Sequence, residues 1–177
     1  MTDSVLDIGC GTRKQEPGAI GIDRIASPAA DIVWDLDCYP WPLADNRFSR
    51  IYLSHIIEHF HDCMRAMAEV HRVACDGADV FVVTPHFSSH NSYTDPTHRR
   101  HLSLASFEYF TGQEFASFAG SPYAFEVVST RLTFGGNIVL DNIGRLLYAI
   151  SSRWYERHAA WMFPGGDIHC HLRVRKT

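Results

Sequence analysis

Apolar residues along this chain fall into short runs rich in isoleucine, valine and aromatic residues, a pattern typical of β-strands. Segments with a helical pattern lie between several of these runs, and that alternation predicts an α/β fold with a mostly parallel sheet. The last two strands are joined by a long excursion, so we expect them at one edge of the sheet, with an antiparallel strand there. The predicted strands cover residues 5–8, 19–22, 32–34, 50–54, 78–84, 125–134 and 168–174.

Three segments are predicted to be helical. Residues 62–74 follow a 3.6-residue period, start at Asp62, whose side chain can cap a helix, and stop at Asp76-Gly77. We expect two further helices over residues 106–119 and 138–161.

The first two crossovers between strands are unusually short. Only seven residues (12–18) separate the turn after the first strand from the second strand, whereas a complete βαβ crossover usually needs ten or more. The sequence therefore predicts a Rossmann-like sheet whose early crossover helices are truncated.

The size and composition are those of one domain. The chain has 177 residues, of which 46% are hydrophobic, enough to close a single core. We expect one domain over residues 1–177, with a cofactor-binding part (1–84), a substrate loop (85–101) and a C-terminal part made of a helical excursion and edge strands (125–177).

Charge and cysteine content narrow the classes of partner. The formal net charge is −4, and the one dense basic group, residues 173–176, alternates with an apolar residue as on the solvated face of a strand, so no nucleic-acid partner is predicted. Five cysteines without a C-x-x-C pair favour reduced thiols and a cytoplasmic location.

No signal peptide precedes the first strand, and the apolar run 138–150 is too short and too polar to span a bilayer, so no transmembrane segment is expected.

Candidate binding residues cluster where the predicted strands end. The first strand breaks into Asp7-Ile8-Gly9-Cys10-Gly11, and only glycine lets the backbone turn sharply there and approach a ligand without a Cβ atom. Asp23 and Asp35 follow the next two strands. Because ligands bind at the carboxyl ends of strands in an open parallel sheet, this arrangement predicts a nucleoside pocket.

An ordered set of motifs resembles the class I S-adenosylmethionine-dependent methyltransferases, in particular their compact, small-molecule-type branch. The resemblance covers about residues 4–115 and rests on the order of its members rather than on any single one. They are Leu6-Asp7-x-Gly9-x-Gly11, Gly21-x-Asp23, Asp35-Leu36, Phe48-Ser49-Arg50-Ile51-Tyr52, Glu69-Val70-His71-Arg72-Val73 and Gly77.

The resemblance implies S-adenosylmethionine as cofactor and a role for each matching residue. The Gly9-Cys10-Gly11 backbone would pass under the methionine part, with Asp7 ordering the turn. Asp23 would accept hydrogen bonds from both ribose hydroxyls. Asp35 and Leu36 would flank the adenine, although Asp37 can take the place of Asp35. The implied cofactor-binding set is Asp7, Gly9, Cys10, Gly11, Asp23, Asp35, Leu36 and Ser54.

The chain departs from the family pattern in two places. The usual third glycine of the first turn is absent and the helix after it is truncated, which leaves open how the cofactor carboxylate is held; Arg13 or Lys14 can pair with it. Ser49 stands where the family commonly has an aspartate before the fourth strand.

The segment after the fourth strand, Ser54 to His61, leaves several functions open. Glu58 and His59 can order the pocket wall through hydrogen bonds, and His55 or His59 can act as general base. Some family members bind a divalent ion at a similar segment, which here would use His55, Glu58 and His59, completed by His86 or His90. His55-x-x-Glu58-His59 also matches the zinc-binding string of one metallopeptidase group. We predict no metal.

A second segment, Asp95-Pro96-Thr97-His98, lies in the predicted substrate loop and resembles part of some sugar methyltransferases. It can serve as a simple turn, or His98 can remove a proton from a substrate hydroxyl or amine. Arg99 and Arg100 can hold an anionic substrate or be solvated. The predicted catalytic residues are therefore His55, His59 and His98.

An apolar stripe runs through residues 138–161, and we expect it to pack on its own domain, with a lid, a dimer face or, less favoured, a membrane contact as alternatives. The predicted function is methyl transfer to a small hydroxyl- or amine-bearing acceptor, by a protein that can form a homodimer. Two rivals are a cofactor-binding protein without transferase activity and a nicotinamide-dependent oxidoreductase, which the missing G-x-G-x-x-G disfavours.

Overall fold

The structure is a computed structural model that describes residues 4–111 and 124–176. Its strands are β1 (Val5–Ile8), β2 (Ile20–Asp23), β3 (Ile32–Val33), β4 (Phe48–Ser54), β5 (Ala74–Pro85), β6 (Ala124–Leu132) and β7 (Asp167–Arg175). Its helices are α1 (Cys63–Val73), α2 (Asn91–Thr94), α3 (Ile138–Ile150) and α4 (Ser152–His158), with 3₁₀ helices at Ile57–His59 and Leu104–Phe110.

The seven strands form one sheet in the order β3-β2-β1-β4-β5-β7-β6. Neighbouring strands from β3 to β5 pair in parallel, and β7 pairs antiparallel with both β5 and β6. The predicted mostly parallel α/β sheet is confirmed, and its antiparallel strand lies at the predicted edge, one position inside β6. The chain order reverses between β1 and β4, and such a reversal opens a ligand crevice at the carboxyl ends of the strands.

The early crossovers are as short as the sequence predicts. No helix lies between β1 and β2 or between β2 and β3 in this fully described part of the chain. The connecting segment is instead fixed by hydrogen bonds: Gly9 N–H donates to the carbonyl of Ile22 at 2.8 Å, and Gln15 N–H donates to the buried Asp7 carboxylate at 2.6 Å. The turn after β1 therefore stays open towards the crevice.

Helix α1 confirms the predicted helix of residues 62–74. Asp62 caps it by accepting a hydrogen bond from Arg65 N–H at 2.9 Å, as expected for an N-cap aspartate. The helix ends at Val73 rather than at Gly77, because Ala74 already pairs with Phe48 in the sheet. Strand pairing therefore ends the helix before the glycine is reached.

The other two predicted helices differ from the structure. Of residues 106–119, the described part is a 3₁₀ helix that starts at Leu104, and residues 112–119 lie outside the described residues. The predicted helix 138–161 is two helices, because Ser151 adopts an extended backbone (φ −163°) and caps α4 by accepting from Trp154 N–H. A 3.6-residue apolar period continues across Ser151, so periodicity alone does not reveal the break.

The prediction that the stripe of residues 138–161 packs on its own domain is wrong for most of its members. Leu147 packs against the core, but Leu146, Ile150, Trp154 and Trp161 are between 50% and 73% exposed. The side of α3 that faces the core carries the buried Gly144 and the partly buried Leu147 and Tyr148. No helix of the described segments combines the length and apolarity that crossing a membrane requires.

Candidate active site

The glycine turn after β1 forms the floor of a cavity. Gly9 and Gly11 have φ values of +70° and +56°, in the left-handed region that glycine adopts most readily. A Cβ atom at Gly9 would lie 2.7 Å from the Ile56 side chain, whereas one at Gly11 would meet nothing within 4 Å. Gly9 therefore permits close packing against the segment after β4, and Gly11 faces open space.

The cavity has a volume of about 270 Å³ and lies where the carboxyl ends of β1, β2 and β4 meet. It is thus at the position that the reversal of strand order predicts for a ligand. The residues that line it are Gly9, Gly11, Asp23, Arg24, Asp35, Leu36, Asp37, His55, Ile56, His59 and Phe60.

Asp23 is held in the cavity by the backbone. One carboxylate oxygen accepts from Gly11 N–H and the other from Ile25 N–H, each at 2.9 Å. A carboxylate has about four acceptor positions, so each oxygen keeps capacity for a further donor. This carboxylate can therefore accept a pair of adjacent hydroxyl groups, such as those of a ribose.

Asp7 and Cys10 support the turn from below. Asp7 is buried, and that burial raises the pKa of its carboxyl group, although the hydrogen bond from Gln15 N–H opposes the shift. The Cys10 thiol is buried beside Gly21. Burial raises the pKa of this thiol to about 11, with Asp23 and Asp7 adding to the effect. Cys10 therefore carries a neutral thiol that packs against β2.

Asp35, Leu36 and Asp37 form the opposite wall. Asp35 is exposed and accepts from Asp37 N–H at 3.1 Å, and Asp37 accepts from His61 N–H at 2.9 Å. Leu36 is buried and belongs to both the wall and the core. Both carboxylates line the cavity, so either can accept from an exocyclic amine.

Three other residues from the sequence prediction lie beside this cavity. Ser54 is the last residue of β4, half-buried, and the lining begins one residue later at His55. Lys14 pairs with Asp31, which also accepts from Gly21 N–H, so its ammonium group already has a carboxylate partner. Arg13 is exposed.

The three predicted catalytic histidines meet around one buried carboxylate, that of Glu58, which is only 1% exposed. One Glu58 oxygen accepts from the Thr84 hydroxyl at 3.0 Å. The other, Oε1, is buried without a hydrogen-bond partner among the described residues. It lies 3.6 Å from His55 Nδ1 and 3.9 Å from His98 Nε2.

Hydrogen bonds fix the rings of His59 and His98. The Thr97 hydroxyl donates to Asp95 at 2.7 Å and contacts His59 Nδ1 at 3.0 Å. Since the hydroxyl has one proton, His59 Nδ1 must be the donor in that contact. His98 Nδ1 likewise donates to the carbonyl of Ser92 at 3.1 Å. In each ring, Nδ1 is therefore taken up by its hydrogen bond, and Nε2 is the other ring nitrogen that faces the cluster.

His55 differs from the other two because it is held between two carboxylates. Its Nδ1 faces Glu58, and its Nε2 lies 3.9 Å from Asp167. Interaction with Glu58 raises the pKa of His55, burial opposes that shift, and Asp167 supports it. Its backbone has φ +52°, a conformation that is rare outside glycine and concentrates at functional sites.

The same cluster contains donors that suit a divalent cation. Ligand atoms of Glu58, His59 and His98 lie within 4.8 Å of one another, and imidazole with carboxylate is a common ligand combination. His86, proposed from the sequence to complete such a site, instead bonds Ser88 and Glu156. His59 ends a short 3₁₀ helix (Ile57–His59) and His55 lies before it, so the two histidines do not share an α-helix and the metallopeptidase geometry is absent here.

A second cavity of about 620 Å³ adjoins the cluster. It lies between the loop after β5, the turn that leads into α3 and the segment before β7, and Asp167 is part of its lining. The Asp167–His55 contact therefore joins the two cavities. Sequence reasoning missed Asp167 and Thr84, because neither lies in a motif, and Asp167 reaches the site only through the insertion of β7 beside β5.

The backbone of Arg99 and the side chain of Arg100 bond to the segment after β4, and the Arg99 side chain is exposed. Arg99 N–H donates to the carbonyl of Glu58 at 2.9 Å, and the Arg100 side chain donates to the carbonyl of His61. These bonds tie the substrate loop to the segment after β4.

A model of the methyltransferase domain family matches residues 6–82. That range contains the glycine turn, Asp23, Asp35 and the segment from His55 to His59. A search of curated proteins gives no match.

Solved structures of similar fold cover nearly the whole chain. YcgJ of Bacillus subtilis has 17% identity and a TM-score of 0.61, over 99% of this chain and 92% of that chain. A SAM-dependent methyltransferase of Archaeoglobus fulgidus has 17% identity and a TM-score of 0.56, over 97% and 86%. The 4+2 cyclase SpnF has 18% identity and a TM-score of 0.59, over 99% and 77%. At these identities the similarity establishes the fold.

Proposed function

We propose that this chain is a class I S-adenosylmethionine-dependent methyltransferase that methylates a hydroxyl or amine group of a small acceptor. The methyltransferase-domain match over residues 6–82 and the shared fold support the family. The observation that carries this proposal is the position of His55 between the two cavities. Among the described residues, His55 is the histidine that lines the first cavity and also lies within 4 Å of Asp167 in the second. A base at that junction can reach an acceptor beside the cofactor.

The first cavity suits S-adenosylmethionine. Gly11 faces open space at its floor, Asp23 retains acceptor capacity for a ribose diol, and Asp35, Asp37 and Leu36 can take the adenine. When bound, this cofactor supplies a methyl group that is attached to a sulfonium sulfur. Once the methyl group has passed to the acceptor, the rest of the cofactor leaves as the thioether S-adenosylhomocysteine. The protein then has to align the acceptor with that methyl group and receive one proton.

His55 is the proposed proton acceptor. Its Nδ1 faces Glu58, so Nε2 is the atom that takes the proton from the acceptor O–H or N–H as the new bond to the methyl carbon forms. Glu58 stabilises the imidazolium that results, and its second oxygen is fixed by Thr84. Asp167 lies beside Nε2 and can hold a neighbouring polar group of the acceptor. His59 and His98 keep the Glu58 carboxylate enclosed.

The test is product formation with a panel of small alcohols and amines. The protein is incubated with S-adenosylmethionine and each acceptor, and S-adenosylhomocysteine is measured by mass spectrometry. We expect turnover with at least one acceptor, a loss of about a hundredfold or more in His55→Asn, as is usual for a general base, and normal turnover in His158→Asn, an exposed histidine on α4.

A second candidate function is cofactor binding without methyl transfer. The observation that favours it is the similarity to SpnF, a cyclase of the same fold. Binding of S-adenosylmethionine without S-adenosylhomocysteine formation from any acceptor would support this candidate and contradict the proposed transfer.

A further inference from the structure

The second cavity, of about 620 Å³, carries negative charge and no fixed positive charge. Its ionisable side chains include the carboxylates of Asp141 and Asp167 and the exposed imidazole of His90. No lysine or arginine belongs to its lining among the described residues, and the sequence of residues 112–123 contains neither. A cleft lined by one sign of charge concentrates ligands of the opposite sign. The cavity therefore favours a cationic ligand over an anionic one.

The carboxylate of Asp167 has unused acceptor capacity where this cavity meets the cofactor cavity. Its Oδ1 is buried without a hydrogen-bond partner among the described residues. Its Oδ2 lies 3.9 Å from His55 Nε2, which is beyond hydrogen-bond length. Because a buried polar atom without a partner is costly, the carboxylate suits a donor that a ligand brings. A charged donor such as an ammonium group makes the strongest bond of this kind.

The backbone donors that could hold an anion in this cavity are already used. Helix α3 begins beside it, and free N–H groups at the start of a helix can bind an anion. Here the Asn137 side chain accepts from Val139 N–H at 3.0 Å and from Leu140 N–H at 3.4 Å. Asp141 accepts from Gly136 N–H at 3.0 Å. These donors are therefore committed to the protein itself.

Aromatic rings are a second feature of the lining that suits a cation. Tyr93, Phe134 and Trp161 all line the cavity, and the electron-rich face of an aromatic ring attracts an ammonium group. Trp161 packs edge-on against Phe87 and is 68% exposed, so much of its ring can contact a ligand. The nearby Arg145 lies outside the lining and donates to the Phe134 carbonyl at 3.2 Å.

We propose that the second cavity receives the acceptor as a cationic amino alcohol, with its ammonium group on Asp167 and its neighbouring hydroxyl group on His55 Nε2. The inference rests on the methyl transfer proposed above and names the chemical class of its acceptor. The 3.9 Å between Asp167 Oδ2 and His55 Nε2 is short enough for two groups on adjacent carbon atoms to reach both.

Methyl transfer then takes place at oxygen. The hydroxyl oxygen forms the bond to the methyl carbon, the carbon–sulfur bond breaks with its electron pair going to sulfur, and the hydroxyl proton passes to His55 Nε2. The ammonium group keeps its protons because a nearby carboxylate favours the charged form. Without a lone pair it cannot attack the methyl group. The products are a cationic O-methyl amino alcohol, S-adenosylhomocysteine and protonated His55.

The test compares three probes built on one ring: trans-2-aminocyclohexanol, trans-cyclohexane-1,2-diol and trans-2-hydroxycyclohexanecarboxylate. At neutral pH they are cationic, neutral and anionic. Calorimetry measures the affinity of each probe for the protein saturated with S-adenosylhomocysteine. We expect the amino alcohol to bind about tenfold or more tightly than the diol, and the hydroxy acid to bind least.

Asp167→Asn should lower the affinity for the amino alcohol about tenfold or more, and leave that for the diol unchanged. The matched control is Asp76→Asn, which removes an exposed carboxylate near the start of β5, whereas Asp167 pairs with Pro85 at its end. This control should keep the preference of the unchanged protein. S-adenosylhomocysteine affinity should be the same in both variants, because neither residue lines the cofactor cavity.

Two binding results would overturn the proposal. The first is an amino alcohol that binds no more tightly than the diol or the hydroxy acid, or that does not bind. The second is a preference for the amino alcohol that persists unchanged in Asp167→Asn.

Product analysis with S-adenosylmethionine separates this inference from the proposed transfer. We expect the O-methyl amino alcohol, identified by mass spectrometry, and an N-methyl product would overturn the assignment of the ammonium group to Asp167. Tight binding of the amino alcohol without any S-adenosylhomocysteine formed would contradict the transfer and support the cation site. Turnover of the diol or the hydroxy acid alone would support the transfer and overturn the cation site.

Discussion

At the scale of single residues, the site is built around the buried carboxylate of Glu58. Glu58 is buried with one oxygen left without a hydrogen-bond donor among the described residues. His55 and His98 lie within 4 Å of that oxygen, and His59 lies close to the same carboxylate. An unpaired buried carboxylate is costly, so we interpret the cluster as a site for a positive charge that appears during the reaction. The imidazolium of His55 is that charge in the proposed mechanism.

The pH dependence of turnover should reveal the Glu58–His55 pair. Turnover needs neutral His55, so kcat/KM should rise as the pH increases through the His55 pKa, which Glu58 raises. Glu58→Gln removes that effect, so the acid limb of the profile should move to lower pH, and kcat should fall. Asp95→Asn leaves the pair in place and serves as control. An acid limb that stays where it is in Glu58→Gln would contradict the assignment.

Asp23 should control cofactor affinity. Replacing it with asparagine removes the charge and turns one acceptor oxygen into a donor, and a hydrogen bond to a charged group is worth about 1.5–3 kcal/mol. S-adenosylhomocysteine should therefore bind roughly tenfold to a hundredfold more weakly by calorimetry. Asp31→Asn is the matched control, because Asp31 also accepts a backbone N–H near β2 but does not line the cavity. Comparable losses in both variants would show that Asp23 acts only through the turn.

At the scale of elements, α1 is fastened to the segment before β4 by one side chain. Arg72 donates to both oxygens of Glu69, at 2.8 and 2.7 Å, and to the carbonyls of Leu43 and Trp41. Burial of Glu69 opposes its ionisation, yet the hydrogen bonds from Arg72 and from Trp41 N–H prevail and lower its pKa. This network positions the chain that leads from Asp37 back to the sheet.

Replacing Arg72 with lysine should therefore be costly. A lysine cannot form the bidentate pair and reach both carbonyls at once, so we expect a loss of about 2 kcal/mol in the free energy of unfolding, measured by urea denaturation. Arg65→Lys, on the exposed side of the same helix over the Tyr39 ring, should change stability by about 0.5 kcal/mol or less. Equal losses in the two variants would mean that the network contributes nothing specific.

The elements also show where sequence reasoning succeeds. The strands β1, β4 and β5 were predictable because they contain short runs of aliphatic and aromatic residues, and α1 was predictable from its period and its Asp62 cap. The start of β5 at Ala74 was not, because pairing with Phe48 decides it. The residues at the cofactor cavity were predictable because each follows a strand. Asp167 was not, because its contact with His55 depends on the placement of β7 between β5 and β6.

At the scale of the whole molecule, the cofactor cavity and the second cavity lie side by side at the same end of the sheet, where the parallel strands finish. The cofactor cavity lies at the reversal of strand order, and the second cavity lies between the loop after β5, the turn into α3 and the start of β7, with His55 and Asp167 between the two cavities. The central claim is that the first cavity binds S-adenosylmethionine.

Thermal unfolding with S-adenosylhomocysteine, NAD and zinc in separate samples tests that claim most directly. A ligand at a hundred times its dissociation constant stabilises a protein by about 2.7 kcal/mol, which corresponds to a shift in Tm of roughly 5–10 °C for a chain of this size. We predict that shift with S-adenosylhomocysteine and none with NAD. An unchanged Tm with S-adenosylhomocysteine, together with a shift in NAD or zinc, would contradict the account.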